Sequence, residues 1–167
     1  MRYPSVSASW LAAAGGAVLL GAISTLAVAQ DAPAPNAAPP AARQAIEVRK
    51  AIFTLIGANF RPIGETLQGK TPYDAADVQK RAERVAFLAP LLTDAFPDIS
   101  SSGDTKAKPE IWSHRADFDQ KLKTFQDHAV ALAQLVGKDN TGSDAFKTAA
   151  AAVGKDCKGC HEDFKAK

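Results

Sequence analysis

The sequence predicts an all-α protein, an antiparallel four-helix bundle. Two observations carry the fold, and a third says what it encloses. Between residues 46 and 164, four successive segments repeat apolar residues at alternating steps of three and four, the period of a helix with one buried stripe. No stretch alternates apolar and polar at every second residue, as a half-buried strand would. The last stripe also carries Cys157, Cys160 and His161 in the order Cys-x-x-Cys-His. A bundle that places such a group on its inner face has room for a flat cofactor between helices.

The segments before the bundle read as export and reach. Arg2 precedes a run rich in Ala, Leu, Val and Gly, and Ala27-Val28-Ala29 stands before Gln30; residues 1–29 are expected to be a cleaved signal peptide. A retained membrane anchor is the competing reading, since the apolar run is near the lower limit for a span. Its small residues and the A-x-A site favour cleavage. Loss of the leader removes one positive charge, Arg2, from a formal net charge of +2. That balance is no footprint for nucleic acid or an anionic membrane surface. Residues 30–41, with Ala-Pro-Ala-Pro and Pro39-Pro40, are expected to be a Pro/Ala-rich tether, and residues 42–167 the four-helix domain.

In the first helix Ile46, Arg49, Phe53, Ile56, Phe60, Ile63 and Leu67 form the stripe. Pro62 is expected to kink it or divide it near Phe60, because proline removes one backbone donor. Arg49 is a cation where an apolar residue belongs. Asp74 is the expected N-cap of the second helix after the break Gly69-Lys70-Thr71-Pro72. Its stripe is Val78, Ala82, Val85, Leu88 or Ala89, Leu92 and Phe96, with Lys80, Arg81, Glu83 and Arg84 on a solvated face. Pro90 is a second kink candidate and Pro97 an end, followed by a polar loop over residues 98–108. The third helix is expected to start at Pro109 and bury Phe118, Leu122, Phe125, Ala129, Leu132 and Val136 before Gly137. Ser143 caps the fourth, whose stripe is Phe146, Ala149 or Ala150, Val153, Cys157, Cys160, His161 and Phe164.

Cys157-Lys158-Gly159-Cys160-His161 is the attachment pattern of a c-type haem: both thiols add across the porphyrin's vinyl groups, and the adjacent imidazole ligates iron. Positions i, i+3 and i+4 share a helix face, so all three groups can address one porphyrin. A thioredoxin-like motif, a structural disulfide or half of a zinc site would use the same cysteines. The first needs strands around it, and zinc needs two further ligands, for which His114 and His128 are a poor supply. One haem c, with His161 on the metal, is the expected cofactor.

With these residues in hand, the chain resembles the cytochromes c′, the class II c-type cytochromes. Ile46-Glu47-Val48-Arg49-Lys50, Pro72-Tyr73-Asp74-Ala75-Ala76, Pro109-Glu110-Ile111-Trp112 and the haem motif near the end of the chain carry the resemblance. It implies a periplasmic haem protein, a homodimer through its first two helices, with His161 as proximal ligand. It also implies a vacant sixth position facing Phe53, and Arg49 on a haem propionate. The last agrees with the residue pattern, since a cation on an apolar seam needs a partner, although a long side chain at a seam edge can also reach solvent. Lys165 stands where the family often has Arg, and Phe164 where Tyr is common; both bear on the proximal side of the haem.

Three function classes follow. An electron carrier usually fills the sixth position with a second ligand. The one methionine is Met1, which leaves with the signal peptide, and the resemblance puts Phe53 where a distal His would stand. Five-coordinate iron that binds small gases is therefore the first expectation. A distal ring without a hydrogen-bond donor favours nitric oxide over oxygen, and the resemblance points to protection against, or storage of, nitric oxide, with carbon monoxide as a second ligand. The alternative is a periplasmic electron-transfer cytochrome with a redox partner protein. No enzyme is expected, because no acid-base constellation accompanies the motif.

Overall fold

The computed structural model describes residues 38–139 and 141–167, so the expected signal peptide and most of the expected tether lie outside it. Helix α1 is Pro40–Leu67, α2 Ala75–Leu88, α3 the single turn Glu110–Ser113, α4 Arg115–Val136 and α5 Asp144–Phe164. Helix α1 starts two residues inside the stretch expected to be tether, with Pro40 in its first turn, where a missing backbone N–H costs nothing. Helices α1, α2, α4 and α5 close a ring in which α1 packs on α2, α2 on α4, α4 on α5 and α5 on α1. This is the expected antiparallel four-helix bundle. Among the described residues extended pairing is confined to one bridge, Ala107 with Lys165, and no helix is long and apolar enough to cross a membrane.

Local chemistry explains most boundaries. Asp74 accepts from the Asp77 backbone N–H at 3.0 Å, and Ser143 from that of Phe146 at 3.3 Å; each satisfies an orphan donor at a helix start. Helix α2 ends at Leu88 instead of continuing through Pro90, which sits in a 3₁₀ turn over Ala89–Leu92. The core-facing residues of that turn, Ala89 and Leu92, are still buried. Helix α4 buries all six residues of its predicted stripe. Each large apolar side chain so buried contributes about 1.5–3 kcal/mol.

One expectation is narrowed and another needs correction. Of the two outcomes expected at Pro62, division does not occur, and α1 is helical through to Leu67. The carbonyl of Ala58, four residues earlier, loses its helical donor to the proline ring, and Arg81 Nη1 of α2 donates to it at 3.4 Å. Arg81 is thus only partly a solvated side chain. The third helix, expected as one piece from Pro109, breaks at His114, whose backbone leaves the helical region at φ −120° and ψ 48°. The separate turn α3 buries Ile111 and lays Trp112 against Phe96, ring centroids 6.5 Å apart.

The loops at one end of the bundle are held by Tyr73, whose ring meets Phe146 edge-on at 5.0 Å and lies against Gly142. A Cβ at Gly142 would stand 2.8 Å from Tyr73 Cγ, and the backbone there has φ +66°. Both facts require glycine. Gly142→Ala is expected to lower stability by about 2 kcal/mol. Gly57→Ala, in α1 with nothing within 4 Å of the added carbon, is expected to raise it by about 0.5–1 kcal/mol. Denaturant midpoints moving in opposite directions check the pair.

Candidate functional site

The C-terminal part of α5 is fixed before any cofactor is considered. Phe164 is buried and meets Phe118 edge-on at 5.3 Å. Beyond it the chain pairs with the loop before α3: Lys108 N–H donates to Phe164 O at 3.0 Å and Ala166 N–H to Lys106 O at 2.8 Å. Lys108 Nζ donates to the carbonyls of Glu162 and Asp163 at 3.1 and 2.9 Å. A cation there satisfies unpaired carbonyls and opposes the negative end of the helix dipole.

On this anchored turn Cys157 and Cys160 are half-buried and pack against the core, while His161 reaches the surface. Burial pushes the Cys157 thiol up to about 11, with Asp156 and Cys160 adding to the effect. Burial also raises Cys160, against a downward pull from Lys121. Two protonated thiols are the opposite of the low-pKa thiolate that a redox motif uses. Partial burial, with Lys165 nearby, lowers the His161 pKa, which favours the neutral imidazole that binds metal.

Helix α1 brings Phe53 to His161, ring centroids 6.2 Å apart at 61°, and Phe53 also meets Phe96 at 6.3 Å. Phe53 is 37% exposed, at the edge of the stripe, while Ile52, Ile56 and Asn59 take the buried positions. Arg49 is only 4% exposed. Its Nη1 donates to Ala95 O at 3.2 Å and Ser100 Oγ at 2.8 Å, and its Nη2 to Thr105 Oγ1 at 2.8 Å and Ser100 O at 3.4 Å. Its Cζ lies 4.8 Å from the Phe96 ring centroid and 6.0 Å from that of Trp112.

All those oxygens are neutral. Among the described residues no carboxylate forms an ion pair with Arg49; the neighbouring Lys50 takes both Glu47 and Asp104. Burial lowers the Arg49 pKa, the mark of a cation that lacks compensation. Ser100, Thr105 and Trp112 are the partners that sequence reading did not assign. Ser100 and Thr105 lie in a loop without periodicity, and the one available signal was the polar Ser/Thr content near a buried cation. His128 bonds Asp156 at 2.6 Å and His114 bonds Ser113 at 3.0 Å.

A helical bundle that presents two half-buried thiols and an imidazole on one face of its last helix defines a class, the bundle cytochromes of c type. The chain belongs to the cytochrome c′ family, whose model, described as Cytochrome C', matches residues 44–165. The cytochrome c' of Rubrivivax gelatinosus is 38% identical over 125 residues, 74% of this chain and 95% of the relative. That of Alcaligenes xylosoxydans xylosoxydans is 35% identical over 123 residues, 74% and 94% of the two chains. Cytochrome c prime from Shewanella frigidimarina superposes with a TM-score of 0.70 at 44% identity, over 75% of this chain and 97% of that one. A ferrous variant of the Alcaligenes xylosoxidans protein with bound nitric oxide gives a TM-score of 0.67 at 34% identity, over 75% and 96%.

Arg49→Ala removes the donor set that holds Ala95, Ser100 and Thr105, and should cost about 2–4 kcal/mol. Lys80→Ala breaks an exposed pair with Asp77 and should cost less than about 1 kcal/mol. Urea titration of both variants checks the difference; equal midpoints would mean that Arg49 carries no structural weight.

Proposed function

We propose that this chain is a haem protein with one haem c, joined by thioethers to Cys157 and Cys160 and ligated by His161. Its five-coordinate iron binds small gases, chiefly nitric oxide, on the side facing Phe53. The carrying observation is that Phe53 of α1 stands 6.2 Å from His161 of α5, on the stretch of helix that also bears the half-buried Cys157 and Cys160. Haem would supply a metal centre with an open coordination position. The protein's part is to hold a neutral imidazole on one side and an apolar ring on the other.

The residues fit such a group. Thiol protons are present for addition to vinyl groups, and a buried cation, Arg49, has no anion of its own. Phe53 lies 6.2 Å from His161 by ring centroids, and its exposure at the bundle edge would let its ring turn outward to admit a porphyrin. A phenyl ring there gives bound oxygen no hydrogen bond, whereas nitric oxide binds ferrous haem strongly without one. Structures of Alcaligenes xylosoxidans cytochrome c prime variants with nitric oxide and with carbon monoxide support the same choice of ligands.

The wider reading follows from the family. Residues 1–29 direct export and are cleaved, the tether ends where α1 begins at Pro40, and the helical domain works in the periplasm in protection against, or storage of, nitric oxide. A second copy of the chain packs on α1 and α2, where Val48, Leu55 and Phe87 are exposed, Phe87 at 75%. Clusters of exposed apolar side chains are what such contacts use.

The mass of mature protein, expressed with a haem-attachment system, should exceed that of the bare chain from Gln30 by one haem, and Cys157→Ala should leave at most one thioether. The ferrous spectrum should be high spin and five-coordinate. A low-spin ferrous spectrum would favour the electron-transfer reading. Phe53→Ala should raise the carbon monoxide on-rate in flash photolysis, because an entering diatomic no longer displaces a ring. Unchanged kinetics would assign Phe53 to packing alone.

A further inference from the structure

We propose that Trp112 is a positioning residue for the cofactor: its indole Nε1–H donates a hydrogen bond to a haem carboxylate shared with Arg49. The inference rests on the haem reading above. Trp112 Nε1 is buried and has no hydrogen-bond partner among the described residues. An indole nitrogen only donates, and a buried donor left unpaired costs about 1–3 kcal/mol. The site therefore calls for an acceptor.

The position of the donor says which acceptor. The Arg49 guanidinium carbon is 6.0 Å from the indole centroid, and Phe96 touches both Trp112 and Phe53. Phe53 in turn touches His161, so indole, guanidinium and imidazole border one continuous aromatic cluster. The surrounding chain gives Arg49 four hydrogen bonds to neutral oxygens and gives Trp112 none. A water molecule would satisfy the indole and leave the cation uncompensated. A carboxylate satisfies the indole and neutralises the guanidinium. The nearby Asp104 is fully exposed and paired with Lys50. Haem brings carboxylates of its own.

Residues 30–167 contain a single tryptophan, Trp112, so indole signals of the mature holoprotein report this side chain alone. Ultraviolet resonance Raman should place the parent's Nε1–H-sensitive band at its hydrogen-bonded position, and Arg49→Lys should move it. Trp112→Phe should shift the haem propionate bending band in visible resonance Raman. Phe96→Leu, which disturbs the same cluster and keeps the donor, should leave that band in place. A free indole band in the parent overturns the proposal without any variant. A bonded indole with an unchanged propionate band in Trp112→Phe also overturns it, since the acceptor is then water or backbone. Either result leaves the haem reading standing. A bare-chain mass without porphyrin bands overturns both.

Discussion

The rest of the structure depends on the burial of one cation. Arg49 occupies a position on the α1 stripe where the helical period calls for an apolar side chain, and it is almost wholly enclosed. Burying a guanidinium is tolerable only if its hydrogen bonds are made. The chain meets that demand by wrapping residues 95–105 around it, with Ser100 itself fully buried. That loop continues into Ala107 and Lys108, which pair with the end of α5. One side chain on α1 is thus connected, through a loop with little regular structure, to the turn that bears His161.

The sequence was legible where a repeating physical cause acts. Every residue of the Phe118 to Val136 stripe is buried, and Asp74 and Ser143 cap the helices they precede, because periodicity and capping are local. It was less legible where a tertiary partner decides. Pro62 should interrupt a helix on local grounds, yet Arg81 on the neighbouring helix donates to the carbonyl that proline leaves without a partner. The break at His114 has no proline or glycine to announce it. Near the chain's end, the placement of Cys157, Cys160 and His161 together on the last helix was readable from spacing alone. Trp112 and Ser100 were not, since their importance comes from lying beside Arg49 in space.

The two halves of the site obey opposite electrostatic logic. Around α5, burial favours the protonated form of both thiols and disfavours the imidazolium of His161, so these three groups are biased toward their neutral forms. At Arg49 burial also works against charge, but a guanidinium keeps its proton at any ordinary pH. Its charge therefore persists, held by four hydrogen bonds to neutral oxygens and by no carboxylate among the described residues. A neutral attachment face beside a fixed positive group suits a cofactor whose centre is apolar and whose edge carries carboxylates.

Neighbouring positions on α1 differ in how far the core depends on them. Ile52 and Ile56 are buried and hold α1 in the bundle, whereas Phe53 stands at the margin with over a third of its surface exposed. Truncating Ile52 or Ile56 leaves a cavity in a packed interior, at about 2–5 kcal/mol. Truncating Phe53 removes a ring that solvent already reaches, so the core loses less. Position 53 can therefore change in size, and with it the space facing His161, while the bundle keeps its packing. Arg49, one turn earlier, has no such freedom, because its removal leaves the oxygens of Ala95, Ser100 and Thr105 without their donor. The helix thus anchors the bundle through its inward positions and leaves the marginal one, beside His161, free to vary in size.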